Sequence, residues 1–279
     1  MNTDQSLPSL RPEAVEGRAA DWALALYGKS VLKQAKFRRI ESLIDDPAGR
    51  CNLDVGADNG VISYLLRRRG GEWRSADLDP RAVASIRQLV GEEVYQLEGA
   101  RTPFPDRTFD QVVIVDYLEH IPDDRAFAEE LARILKPGGV VVVNVPHLQP
   151  RSPLNRFRHR IGLTDEWHGH LRPGYTLDGL RAVLGPRFAV ERVVTYSRFG
   201  SELVDTALNG VYEVMRKRSA GRTASSKGTV VTEADVRRHR KQFRLLSLLY
   251  PALKLTASAD RLLPWQPGHK LIVRARFLG

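Results

Sequence analysis

The stretch Cys51-Asn52-Leu53-Asp54-Val55-Gly56-Ala57-Asp58-Asn59-Gly60, followed by Val61-Ile62-Ser63-Tyr64-Leu65-Leu66, restricts what this chain can fold into more than any other. It reads as a short buried strand ending at an acid, a turn through two glycines, and a helix whose N-terminus opens at the turn. Gly56 can take backbone angles that other residues avoid, and its missing side chain lets a ligand lie against the main chain. Such a unit belongs to an open parallel α/β sheet, whose ligands bind outside the carboxyl ends of the strands. The spacing Asp-x-Gly-x-x-x-Gly is not the Gly-x-Gly-x-x-Gly that seats a dinucleotide pyrophosphate on a helix N-terminus. Asp54 would repel a phosphate there and suits a ligand that carries positive charge.

The partners that follow extend the pattern. Glu72 to Asp77 reads as a second strand ending in Ala76-Asp77-Leu78-Asp79-Pro80. Asp77 is placed to accept both hydroxyls of a ribose, while Asp79 and Pro80 have the chemistry of a helix cap and first helical residue. Glu93 to Leu97 reads as a third strand, followed by Glu98-Gly99-Ala100 and then Phe104, Phe109 and Asp110. Asp110 to Asp116 is nearly all apolar between its acids, as a strand buried on both faces must be. After Tyr117-Leu118-Glu119-His120 a helix is expected from about Asp124 to Leu135. Lys136-Pro137-Gly138-Gly139 is expected to end it with a glycine cap before a fifth strand, Val140 to Val145.

Residues 50–146, so punctuated, resemble the class I S-adenosylmethionine-dependent methyltransferases. The likeness is to the small-molecule, type 11 branch that includes the ubiquinone and menaquinone biosynthesis methyltransferases. It implies S-adenosyl-L-methionine as cofactor and S-adenosyl-L-homocysteine as product. It also implies a set of contacts: Asp54, Gly56, Ala57 and Gly60 for the methionine portion, Asp77 and Leu78 for the ribose, Glu98, Gly99 and Ala100 for the adenine, and Asp116 at the mouth of the pocket. The family often has a glycine where this chain has Asp58, and aspartate is commoner than Glu98. Helices before the first strand cover the cofactor in this family, which brings Tyr27 and Lys36 into consideration beside simple packing.

The fold class expected is α/β. A Rossmann-like, mostly parallel seven-stranded sheet has an antiparallel last strand, His269 to Phe277, helices on both faces and a mainly helical substrate cap. A loose tail covers 1–18, the methyltransferase domain covers 19–199 and 266–279, and cap insertions fall at 147–175 and 200–265. The second insertion contains a basic loop at 216–228 and an amphipathic helix at 232–250. Helices are also expected over Thr176 to Leu184 and Glu202 to Arg216, and His147 to Arg172 reads as a long aperiodic loop.

Charge divides the chain. Residues 1–146 hold 19 Lys and Arg against 23 Asp and Glu, a net −4, whereas residues 147–279 hold 24 against 10, a net +14. The second half is expected to face an anionic partner, either a phosphorylated or lipid-linked acceptor or an anionic membrane surface; a solvated basic surface is the plainer alternative. The lone cysteine and the absence of an apolar leader point to the cytoplasm, with peripheral contact on the inner face of the membrane. No Asn/Asp-Pro-Pro-Tyr/Phe turn follows the fourth strand and no cysteine lies there to attack a base, so nucleic-acid base methylation is disfavoured. RNA binding by the basic half and ligand binding without turnover remain rival readings.

His168 and His170 are candidates for a base or for orienting the acceptor, because imidazole titrates near neutrality. No cysteine near them completes a zinc set, so no metal is expected. Glu119 and His120 read as scaffold of the motif. The acceptor is a small molecule or a lipid- or saccharide-linked one, with oxygen the expected methyl-accepting atom.

Overall fold

The computed structural model describes residues 21–150, 152–219, 240–263 and 265–279. Seven strands form one sheet: β1 Cys51–Val55, β2 Glu72–Asp77, β3 Val94–Gln96, β4 Phe109–Val115, β5 Leu135–Pro146, β6 Phe188–Tyr196 and β7 Lys270–Phe277. Their order is β3-β2-β1-β4-β5-β7-β6. The first five strands are parallel, and β7 runs antiparallel between β5 and β6. The order reverses between β1 and β4, so the loops leaving those two strands diverge and leave a crevice at their carboxyl ends.

Alternation along the central strands explains why the helices can cover both faces. Val112 and Ile114 of β4 pack with Phe127, Leu131 and Leu180, which come from α5 Asp124–Ile134 and α8 Leu177–Leu184. Val113 and Val115 pack on the other face with Ile40, Leu66 and Ile86. Those three belong to α2 Val31–Glu41, α3 Val61–Arg67 and α4 Pro80–Val90, and α1 Asp21–Gly28 joins the same face through Ala23 and Tyr27. A strand buried on both sides must be apolar throughout, and the exception in β4 is satisfied locally. Gln111 is fully buried, donates to Asn52 Oδ1 at 2.8 Å and accepts from the Asp45 backbone nitrogen at 3.2 Å.

Several boundaries differ from the sequence expectations. α5 stops at Ile134, and Leu135 is already extended, so Gly138, although at φ 79°, shapes the approach to β5 rather than capping the helix. The segment 147–172 is not aperiodic: it contains α6 Pro153–Arg160 and α7 Asp165–His168. Capping forms them without an apolar stripe, since Ser152 and Thr164 accept from Asn155 N and Trp167 N, and Pro153 opens α6. Cys51 is half-buried rather than buried.

α9 Phe199–Ser219 packs beside α10 Arg240–Ser258 and extends past the expected end at Arg216, taking the first residues of the expected basic loop. The rest of that loop, 220–228, the start of the expected amphipathic helix at 232–239 and the tail 1–18 lie outside the described residues. Among the described residues no helix is long and apolar enough to cross a membrane.

Candidate active site

The turn between β1 and α3 forms the floor of the crevice. Gly56 has φ 82°, and a Cβ built on it would lie 2.3 Å from the Val115 carbonyl oxygen. Glycine is therefore required because this turn presses on the end of β4, and not for contact with a ligand alone. Gly60, at φ 84°, likewise sits against Ile86 of α4, with an added Cβ 2.8 Å from its Cα. Asp58 takes φ 54° where the family often has glycine, and its carboxylate meets Lys33 Nζ at 3.0 Å.

Asp54 does not reach the crevice, a correction to its expected role. It is fully buried and accepts from Ser63 Oγ at 2.6 Å and from Ser75 Oγ at 2.9 Å, with Arg67 Nη1 3.6 Å away. It ties β1 to α3 and β2. Burial pushes its carboxyl above the ordinary value, against the lowering effects of Ser63 and Arg67.

A cavity of about 410 Å³ opens above the turn. Its floor is Gly56, Ala57, Asp58 and Asn59; one wall is Asp77, Leu78 and Asp79; the opposite wall is Val115, Asp116, Tyr117, His120 and His168. Tyr27, Lys33 and Lys36 of the N-terminal helices close over it. Asp77 ends β2, and its Oδ1 accepts from Asp79 N at 3.1 Å. Burial, helped by the charge of Asp58, lifts its pKa to about 6. Asp116 follows β4 at φ 45°, accepts from Lys36 Nζ and from Asn144 Nδ2 at 2.9 Å, and lies 3.9 Å from Lys270 Nζ. Burial would raise its carboxyl, but the two ammonium groups prevail and hold it well below the usual carboxylate range.

Glu98, Gly99 and Ala100 do not line this cavity. Glu98 and Gly99 are exposed, and Gly99 offers its carbonyl to Tyr117 Oη at 3.2 Å. Gly60 also stands back from the lining, at the start of α3. A separate open depression of about 590 Å³ beside α8 is lined by Arg181, Ala182, Gly185, Pro186, Phe188 and Val190. It brings no carboxylate or imidazole together.

The two candidate histidines separate in role. His168 lines the cavity, whereas His170 lies behind it, stacked on His168 with ring centroids 5.3 Å apart and edge-on to His120 at 5.0 Å. Burial and the neighbouring Lys270 and His120 press the His170 pKa down to about 3, so it is neutral and weakly basic. Beside it Glu119 is fully buried, with both carboxyl oxygens lacking a hydrogen-bond partner among the described residues. Burial, then the charge of Asp116, raises its pKa to about 8. One backbone bond and one side chain dock the insertion here: Leu171 N donates to Glu119 O at 2.8 Å, and the Arg172 side chain donates through Nη2 to the carbonyls of Ile121 and Pro122.

Sequence reasoning passed over Lys33, Lys270 and the grouping of Glu119 and His120 with His170. A positive charge near the fourth-strand acid was not legible, because Lys270 comes from a strand 154 positions after Asp116 and pairs antiparallel with β5.

The sheet order, with the glycine turn and the acid at the end of β2, gives the Rossmann-like architecture of the methyltransferase fold. Residues 53–143, about a third of the chain, match the family described as a methyltransferase domain. The demethylmenaquinone methyltransferase of Tropheryma whipplei (strain Twist) is 32% identical over 118 residues, covering 41% of this chain and 49% of that protein. The ubiquinone biosynthesis O-methyltransferase of Xanthomonas oryzae pv. oryzae (strain PXO99A) is 33% identical over 114 residues, covering 38% and 47%. The chain spans less than half the length of these curated relatives. An S-adenosylmethionine-dependent methyltransferase from Mesorhizobium loti shares the fold, with a TM-score of 0.53, 14% identity and coverage of 87% of this chain and 97% of that one.

S-adenosyl-L-methionine is the cofactor that this family and fold imply, and the lining fits it. Asp77 presents a carboxylate that would accept from the ribose hydroxyls, and the main chain of Gly56 and Ala57 would bear the methionine portion. Two acids, Asp77 and Asp116, open onto one cavity, which suits a donor that carries positive charge.

Proposed function

We propose that the chain transfers a methyl group from S-adenosyl-L-methionine to an oxygen of a small-molecule, lipid-linked or saccharide-linked acceptor. The observation that carries this is the single cavity shared by the Gly56 turn, Asp77 and Asp116 at the carboxyl ends of β1, β2 and β4. When bound, the donor supplies an already activated methyl on a sulfonium. The protein's task is then to align acceptor and methyl and to exclude water. Tyr27 and Lys36 cover the cavity, and Lys36 holds Asp116 ionised at its mouth. His168, on the lining, is the imidazole positioned to take an acceptor's proton.

The acceptor is anionic in this reading. Lys33, Lys36 and Lys270 stand near the cavity, and residues 147–279 carry a net +14, 24 basic against 10 acidic. Exposed apolar side chains in the same half support a lipid-linked acceptor met at an anionic membrane surface. Leu248, Leu255, Leu262 and Trp265 are each 74–78% exposed. The two relatives named for quinone biosynthesis make a hydroxylated quinone-type ring the first acceptor to test. The test is transfer of deuterated methyl from labelled donor to such rings, read by mass spectrometry. Label on oxygen, lost in Asp77→Ala, is the expected result; label on carbon or nitrogen alone would replace the oxygen assignment, and no label on any acceptor would remove the reading.

A further inference from the structure

Three side chains beside the cavity are arranged for a ligand that the methyl donor does not account for. Glu119, His120 and His170 each bring one donor atom into a group whose members all lie within 4.8 Å of one another. Two of the three come from the turn after β4 and the third from the helical insertion 50 positions later, so the grouping exists only in the folded chain.

The hydrogen bonding around these groups is incomplete in a directed way. Both oxygens of Glu119, a residue with no exposed surface, lack hydrogen-bond partners among the described residues, as does the buried Nδ1 of His170. His170 Nδ1 stands 3.9 Å from Asp165 Oδ1, too far for a hydrogen bond. Buried polar atoms are nearly always satisfied, and unsatisfied ones on two members of one close group call for a partner. His120 is oriented differently: its Nδ1 lies 2.9 Å from the Gly169 carbonyl oxygen. A carbonyl only accepts, so Nδ1 carries the proton and Nε2 keeps a lone pair. Histidine ligands to metals are commonly fixed by such a bond to a backbone carbonyl.

We propose that Glu119, His120 and His170 form a binding site for one divalent transition-metal cation against the wall of the cavity. Metal–donor distances of about 2.1 Å place neighbouring donors about 3 Å apart, so donors now within 4.8 Å of one another would draw together around an ion. One carboxylate and two imidazoles, without thiolate, suit manganese, iron or zinc better than calcium or magnesium. The Lys270 ammonium opposes positive charge at His170, and Asp116, which accepts from Lys36 and lies 3.9 Å from Lys270 Nζ, acts in the opposite sense together with the Glu119 carboxyl. The lone pair of His168 and His170 in sequence suggested no metal for want of other ligands; folding supplies Glu119 and His120.

Three protein donors leave coordination positions for oxygen ligands. Resting on the methyl-transfer reading, one of these is the acceptor's hydroxyl, which a bound cation would make more acidic. His120 lines the cavity, so the site and the acceptor share a wall.

The test uses the full chain, stripped with a chelator and titrated with manganese(II), followed by electron paramagnetic resonance of the free ion, and with zinc(II) by calorimetry. Binding of S-adenosylhomocysteine and thermal unfolding are measured on the same preparations. One cation per chain is expected, with affinity at least tenfold weaker in Glu119→Gln and in His120→Asn, the latter at a half-buried position and so independent of any folding defect at Glu119. No saturable binding of either ion by wild-type protein that binds S-adenosylhomocysteine would overturn the site and leave the donor reading intact. Equal binding by both folded variants would overturn it too. Binding of the ion without S-adenosylhomocysteine would keep the site and remove its proposed part in methyl transfer.

Discussion

Ser63 Oγ donates to Asp54 Oδ2 across 2.6 Å, joining the first turn of α3 to the end of β1 inside the core. With Ser75 on Oδ1 and Arg67 nearby, Asp54 is the post around which β1, β2 and α3 are fixed. Asp54→Ala would leave two hydroxyls and a guanidinium facing a void. A loss of about 3–5 kcal/mol in urea unfolding is expected, as for breaking a buried charged network. Asp54→Asn keeps one acceptor and is expected to lose about 1–3 kcal/mol. Equal stability of wild type and Asp54→Ala would contradict this placement.

The misassignment of Asp54 shows where the sequence stopped being informative. A strand-end acid before a glycine was readable, as was the turn it precedes, since both are local. Its direction was not, because that depends on Ser75 across the β1–β2 register and on Ser63 one helical turn away. The parallel strands were legible for the opposite reason: Val112 to Val115 and Val140 to Val143 must be apolar on both faces whatever packs there. α6 was missed because only Leu154 of its eight residues is buried, which leaves no apolar period to detect; the Ser152-Pro153 cap was the available signal. The convergence of Glu119, His120 and His170 was out of reach, being formed by docking of the insertion through Leu171 and Arg172.

Lys36 and Asp116 form a partly buried pair whose value depends on pH. Asp116 is depressed in the folded state, so its contribution is complete above the unfolded aspartate value and is lost as pH falls through the lower folded value. Lys36→Met is expected to cost about 1–3 kcal/mol at pH 7. The gap between the variant and wild type should narrow as the pH drops below about 4, measured by urea unfolding across pH. A gap independent of pH would show that packing of the lysine stem, and not the charge, carries the effect.

The exposed Leu248, Leu255, Leu262 and Trp265, together with the basic second half, predict salt-sensitive sedimentation with anionic liposomes and none with neutral ones. Replacing Trp265 and Leu262 by serine should reduce the sedimented fraction without changing the thermal midpoint by more than about 2 °C, since both are solvent-exposed. Unchanged sedimentation of the folded variant would remove this surface from the account.

Asp77 gives the binding of the donor a pH signature. Its pKa of about 6 lies above the unfolded value, so ionising it opposes folding progressively as the pH rises from about 4 to 6, whereas accepting from ribose hydroxyls requires that ionised form. Affinity for S-adenosylhomocysteine should therefore be level above pH 7 and fall toward tenfold per pH unit below about 6. Asp77→Asn should be weak and flat through that window. A wild-type affinity that rises on acidification would reverse the assignment.

Calorimetric titration of S-adenosylhomocysteine into wild-type protein and Asp77→Ala at pH 7.5 tests the central claim most directly. One site per chain is predicted for wild type, with affinity at least tenfold weaker in the variant, about 1.4 kcal/mol or more. No binding by folded wild-type protein, or equal binding by the two, would contradict the assignment of this cavity to an adenosyl donor.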